Sequence, residues 1–140
     1  MDTLGRHLLV EYFGCNPTIL DDEATVESGL VEAAHAANTT PLRTVTHRFA
    51  PHGVTGVVII AESHLSIHTW PEAGYASVDF FTCGKSDPLP AKDVLLSRLQ
   101  ATHCEWVEIK RGLDPQGKGA MSSMRWTAPR IDRPADPPAE

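Results

Sequence analysis

Between Glu62 and Cys83 the chain concentrates side chains that can do chemistry: Glu62, Ser63, His64, His68, Glu72 and Cys83. The ordinary fate of such residues is to decorate a solvated sheet face. Three chemistries compete with that reading. The first is a metal site, because His64 and His68 have the i,i+4 spacing of a helical zinc motif. The run from His64 to Trp70 alternates polar and apolar residues and stops at Pro71, which reads as a strand. On a strand the two imidazoles lie about 13 Å apart, too far for two ligands each about 2 Å from one zinc. No metal ligand is assigned. The second is a thiolate–imidazolium pair of Cys83 with His68 as base. Against it, Phe80-Phe81-Thr82-Cys83 is an apolar strand end, where cysteine is usually inert, and no nucleophile elbow surrounds Ser63.

The third chemistry turns on the bond between Glu62 and Ser63. A serine pressed into the break between two strands can attack the preceding carbonyl carbon and convert the peptide into an ester. A base then removes the serine α-proton, the ester is eliminated, and hydrolysis leaves a pyruvoyl group at the new chain start. The needs are a strained carbonyl, a hydroxyl donor to the developing oxyanion and an imidazole base. Thr55 is the candidate donor; His64 and His68 are the candidate bases. Residue types alone do not select among the three chemistries, since Glu-Ser-His is a common tripeptide.

The elements that must position these groups can be read from pattern. His7–Phe13 is a first strand. Asn16 is an N-cap with Pro17 at the first helical position, and Val26, Leu30, Ala33, Ala34 and Ala37 extend a helix over Ile19–Ala37, closed at Asn38. Thr44–Phe49 reads as a strand, Pro51-His52-Gly53 as a turn, and Gly56–Ala61 as the most buried strand. In His64–Trp70, Leu65, Ile67 and Thr69 share one face and His64, Ser66, His68 and Trp70 the other. Tyr75–Phe81 is a further strand. A helix follows Asp87-Pro88 to about Thr102, and a last strand spans Cys104–Lys110. The order predicts an α+β fold, a two-layer α/β sandwich with an antiparallel sheet and two helices on one face. The other face then needs cover, and a second subunit is the simplest source.

The chain has 140 residues, 41% of them hydrophobic, enough for one domain with a core. The functional domain is expected at 1–111. Residues 112–140 are rich in Gly and Pro and are expected to form an irregular, partly flexible C-terminal tail. Twelve Lys and Arg against eighteen Asp and Glu leave a charge of −6 and no basic stripe, so no nucleic-acid partner is expected. The longest apolar run, Val57–Ala61, is far short of the roughly 20 residues a membrane helix needs, and no apolar leader opens the chain. Three widely spaced cysteines, Cys15, Cys83 and Cys104, form no disulfide framework and suit a reducing, cytoplasmic setting.

The strings Ser63-His-Leu-Ser-Ile-His-Thr-Trp-Pro-Glu72 and Asp79-Phe-Phe-Thr-Cys-Gly84 stand in one register with Leu4-Gly-Arg-His7 and His47-Arg-Phe49…Gly53-Val-Thr-Gly-Val57. Together they closely resemble the short prokaryotic S-adenosylmethionine decarboxylase proenzymes over nearly all of 1–111. The resemblance implies a dimer that stacks sheet on sheet, α/β/β/α. It implies self-cleavage between Glu62 and Ser63 into a β chain, 1–62, and an α chain, 63–140, the latter capped by a pyruvoyl cofactor made from Ser63. It places the processing base on His68, the catalytic proton donor on Cys83, the adenine-stacking aromatic on Phe49 and the ribose-binding carboxylate on Glu72. The family usually has serine where this chain has Thr55; the hydroxyl survives, and the extra methyl restricts its rotamers.

The implied activity is decarboxylation of S-adenosylmethionine, giving CO₂ and the aminopropyl donor for spermidine synthesis. The pyruvoyl carbonyl forms a Schiff base with the substrate amine and acts as the electron sink that pyridoxal phosphate provides elsewhere. A thiol, of ordinary pKa about 8.5, is mostly protonated at neutral pH and can donate to the α-carbon. Two rivals remain open: the same chemistry applied to a basic amino acid such as ornithine or arginine, and a binding protein that never processes.

Overall fold

The structure, a computed structural model, describes residues 3–127. The chain runs through β1 (Gly5–Phe13), α1 (Pro17–Leu20), α2 (Glu23–Ala36), β2 (Thr40–Arg48), β3 (Val54–Ala61), β4 (Ser63–Trp70), a 3₁₀ turn (Pro71–Ala73), β5 (Tyr75–Cys83), α3 (Leu89–Arg98), β6 (His103–Arg111) and β7 (Ser122–Thr127). The strands form one antiparallel sheet in the order β2-β3-β4-β5-β1-β6-β7. Alternation decides its two faces. Leu8, Val10 and Tyr12 of β1, Val58 and Ile60 of β3, Leu65 and Ile67 of β4, and Val78 and Phe80 of β5 are buried in one core with Val26, Leu30 and Leu95 of the helices. Each large apolar side chain so buried contributes about 1.5–3 kcal/mol. The α+β sandwich, the antiparallel sheet and the helices gathered on one face follow the pattern reading.

The predicted first helix is divided. Asn16 caps α1, its Oδ1 accepting from the Thr18 and Ile19 amides, and Asp22 caps α2 through the Thr25 amide. Asp21 sits at the break because its carboxylate is committed elsewhere: it accepts from the Gly53 amide at 2.9 Å and from Arg48 at 2.8 Å. Those bonds hold its carboxyl below the usual carboxylate range, the Gly53 amide contributing most. They also tie the turn after β2 to the helical layer. Gly53 has φ +108°, and a Cβ there would lie 3.1 Å from the Thr69 carbonyl oxygen. The second long helix is shorter than expected, closing at Leu99, with Gln100 at φ +51°.

The expectation of an irregular tail from Gly112 needs correction. Ser122–Thr127 is a strand that pairs with β6 from Lys110↔Ser122 to Glu105↔Thr127, and Trp126 stacks on Trp106 with ring centroids 6.2 Å apart. This strand completes the ladder along an edge β6 otherwise leaves open. Its own six residues carry little apolar alternation, so the surrounding Gly and Pro dominate its sequence signal. The expected continuation of the tail over 128–140 lies outside the described residues.

Candidate active site

Ser63 opens β4 directly after the reversal from β3. It pairs with Ile60 on one side and with Thr82 of β5 on the other. Its φ is +97°, a conformation that costs a non-glycine residue about 1–3 kcal/mol. Ser63 Oγ lies 3.4 Å from His64 Nδ1, a long hydrogen bond. Beside the junction a cavity of about 250 Å³ is lined by Asn38, Ala61, Glu62, Cys83 and Gly84. Cys83 ends β5 opposite Gly5 of β1. A Cβ on Gly5 would lie 2.6 Å from the Phe81 ring and 3.1 Å from Cys83 Sγ, so this glycine is what lets β1 run beside the thiol.

A second group forms at the opposite end of the β3–β4 hairpin. Thr55 Oγ1 and His68 Nδ1 are hydrogen-bonded at 2.8 Å across the two strands. Phe49, His52, Gly53, Trp70 and Glu72 join them around a cavity of about 410 Å³. Phe49, 47% exposed, meets His47 edge to face at 4.6 Å; Trp70, 41% exposed, leans on Tyr75 at 5.1 Å. Glu72 pairs with His52 Nε2 at 2.9 Å. His52, read from sequence only as a turn residue, is therefore a neighbour that the motif strings did not single out. Trp70 lay within those strings without a role.

The structure thus joins Thr55 with His68, and Phe49 with Glu72, but separates both pairs from Ser63 and Cys83. His68 is five residues along β4 from Ser63, about 16 Å at strand rise. His64 and His68 stand four residues apart on β4, about 13 Å at strand rise, and among the described residues no group of three or more His, Cys, Asp and Glu that could hold a metal ion occurs. None of the three cysteines is in a disulfide.

The sheet face away from the helices joins the two ends. On it His7 Nε2 donates to Asp79 at 2.9 Å, Ser66 Oγ donates to the same carboxylate at 3.1 Å, and Arg111 reaches His7 Nδ1 at 3.2 Å. A carboxylate only accepts and a guanidinium only donates, so the partners select the His7 tautomer protonated at Nε2. The His7 hydrogen bond holds the Asp79 carboxyl below its ordinary value, outweighing partial burial. His7 also stacks on Phe81 at 5.1 Å, and Arg111 covers the same ring at 4.4 Å. Leu9, Ile59 and Trp70 on this face are exposed.

Comparison with solved structures defines the class first. The adenosylmethionine decarboxylase of Aquifex aeolicus superposes with a TM-score of 0.74 at 37% identity, over 83% of this chain and 97% of that one. The Trypanosoma brucei AdoMetDC-delta26 monomer shares the fold at a TM-score of 0.58 and 15% identity, over 74% of this chain and 45% of that chain. The family described as S-adenosylmethionine decarboxylase matches residues 6–112. The chain belongs to that family. The S-adenosylmethionine decarboxylase proenzyme of Acetivibrio thermocellus is 48% identical over 114 residues, 81% of this chain and 92% of the relative. That of Pyrococcus horikoshii is 40% identical over 134 residues, 95% of this chain and 96% of the relative.

Proposed function

We propose that this chain is a self-processing, pyruvoyl-dependent decarboxylase that converts S-adenosylmethionine to its decarboxylated form and CO₂, supplying aminopropyl groups for spermidine synthesis. The observation that carries the self-processing is the backbone of Ser63: a serine at φ +97° at a strand reversal, in a chain whose family match spans the whole site. Relatives at 40% and 48% identity named as S-adenosylmethionine decarboxylase proenzymes support the nucleoside substrate over a basic amino acid.

A pyruvoyl group made from Ser63 supplies the electron sink that lets an α-amino acid lose CO₂. The residues beside Ser63 suit that group: the cavity lined by Glu62 and Cys83 opens next to it, and Cys83 holds a thiol proton for the α-carbon. Glu72, oriented by His52, accepts hydrogen bonds from a ribose diol, and Phe49 offers its exposed ring to adenine. Thr55 orients the His68 imidazole, which takes the Ser63 α-proton during processing.

One protomer does not bring these groups together, and this supports a homodimer stacked sheet on sheet through the open face. An antiparallel arrangement sets the partner's Phe49, His68 and Glu72 toward Ser63 and Cys83. We place the enzyme in the cytoplasm, a reading supported by its cysteines without disulfides. Among the described residues no helix is long and apolar enough to cross a membrane.

Intact-mass spectrometry of purified protein tests the proposal. Two chains are expected, 1–62 and 63–140, the second with a pyruvoyl start, alongside CO₂ release from S-adenosylmethionine. Ser63→Ala is expected to stay in one piece and inactive. A wild-type chain that remains intact while folded overturns the reading.

A further inference from the structure

Thr82 is 1% exposed, and its Oγ1 is one of two buried side-chain polar atoms without a hydrogen-bond partner among the described residues. A buried hydroxyl left unpaired costs about 1–3 kcal/mol. A valine would fill the same space without that cost. The hydroxyl is also placed: Thr82 stands directly opposite Ser63 in the β4–β5 ladder. Cβ atoms of directly opposed residues lie about 4.5–5.5 Å apart, one side-chain length from the Glu62–Ser63 bond. The other hydroxyl considered for this junction, Thr55, is bonded to His68 at the far end of the β3–β4 hairpin, so it reaches a Glu62–Ser63 bond only from a second protomer.

We propose that Thr82 is a hydrogen-bond donor of the first processing step, the one supplied by the protomer being cleaved. The inference rests on the self-cleavage reading and adds a residue to it. In that step Ser63 Oγ attacks the Glu62 carbonyl carbon through a five-membered ring. The carbonyl oxygen gathers negative charge, and the Thr82 hydroxyl donates to it. The C–N bond then breaks, an ester forms, and the proton lost by Oγ ends on the Ser63 nitrogen. The step is an isomerisation and needs no co-reactant. The unpaired hydroxyl is thus a stability cost retained at the place where charge develops.

The test follows the full chain after synthesis on denaturing gels, with melting temperature measured on the same samples. Thr82→Val is expected to melt no lower than wild type and to cleave about 100-fold more slowly, the usual loss for one oxyanion donor. Thr82→Ser is expected to cleave close to the wild-type rate. In a His68→Ala background, where the α-proton base is gone and ester accumulates, adding Thr82→Val is expected to reduce the hydroxylamine-cleavable fraction. Thr82→Val cleaving at the wild-type rate overturns the proposal. So do Thr82→Val and Thr82→Ser that are both slow and both melt lower, since packing then explains the effect. If wild type itself never cleaves, it is the self-processing reading that has failed; if wild type cleaves and Thr82→Val keeps pace, only the role of Thr82 has.

Discussion

Thr55 Oγ1 and His68 Nδ1 are locked together at 2.8 Å across β3 and β4, so the ring orientation of His68 depends on a β-branched hydroxyl side chain. Thr55→Val keeps the shape and removes the bond. It is expected to slow the conversion of one chain to two by about tenfold or more, with hydroxylamine-sensitive ester building up. Thr55→Ser keeps the bond and frees the rotamer, and is expected to process at least as fast as wild type. Gel time courses with and without hydroxylamine measure both.

Cys83 flanks the junction cavity beside Glu62. Cys83→Ala protein that has cleaved is expected to bind substrate but to turn over about 100-fold more slowly, within the range for loss of a positioned general acid. Borohydride reduction of the pyruvoyl end group, read by mass, separates this loss from a lack of cofactor. Unchanged turnover would move the proton-donor role elsewhere.

Phe49 and Glu72 line the cavity at the opposite end of the β3–β4 hairpin from Ser63; on the proposed reading they meet a substrate held at Ser63 through a second copy. Glu72→Gln and Phe49→Ala are expected to raise KM about tenfold with a smaller change in kcat, as uniform binding interactions do. Mixing Ser63→Ala protomers with Glu72→Gln protomers is expected to restore one complete site per mixed dimer. No recovery in the mixture would place both residues in a single-protomer site.

Asp79 has its pKa lowered in the folded chain, first by the His7 hydrogen bond. A depressed carboxylate contributes stability above its unfolded value, about 3.9, and loses it as pH falls through the folded value. Melting temperature is therefore expected to fall as pH drops below about 4, and Asp79→Asn to flatten that fall. A variant with an unchanged acid limb would show that another carboxylate sets it.

Trp126 on β7 stacks against Trp106 on β6. Trp126→Ala is expected to destabilise the fold by about 1 kcal/mol without changing the rate of self-cleavage. Chemical denaturation and the gel assay check the two halves of that statement.

Much of the fold was legible because sheet and helix periods are local. The alternation of His64–Trp70 put Leu65, Ile67 and Thr69 on one face, and that face is the buried one. Asn16-Pro17 announced a helix start, and Asn38, at φ +59°, its end. The break at Asp21 was hidden because its cause is a bond to Gly53, 32 residues away. β7 was hidden because its partner strand, rather than its own apolar pattern, makes it a strand.

The sequence by itself determined the order of the strands from β1 to β6, the alternating faces of β4 and, through the motif strings, the family, since all of these are written in neighbouring residues or in a register shared with relatives. Only the tertiary structure showed that Thr82 stands opposite Ser63 in the β4–β5 ladder and that Thr55 is bonded to His68. It also divided the motif residues between two ends of one hairpin. Both depend on strand register, a long-range pairing that residue types do not encode locally.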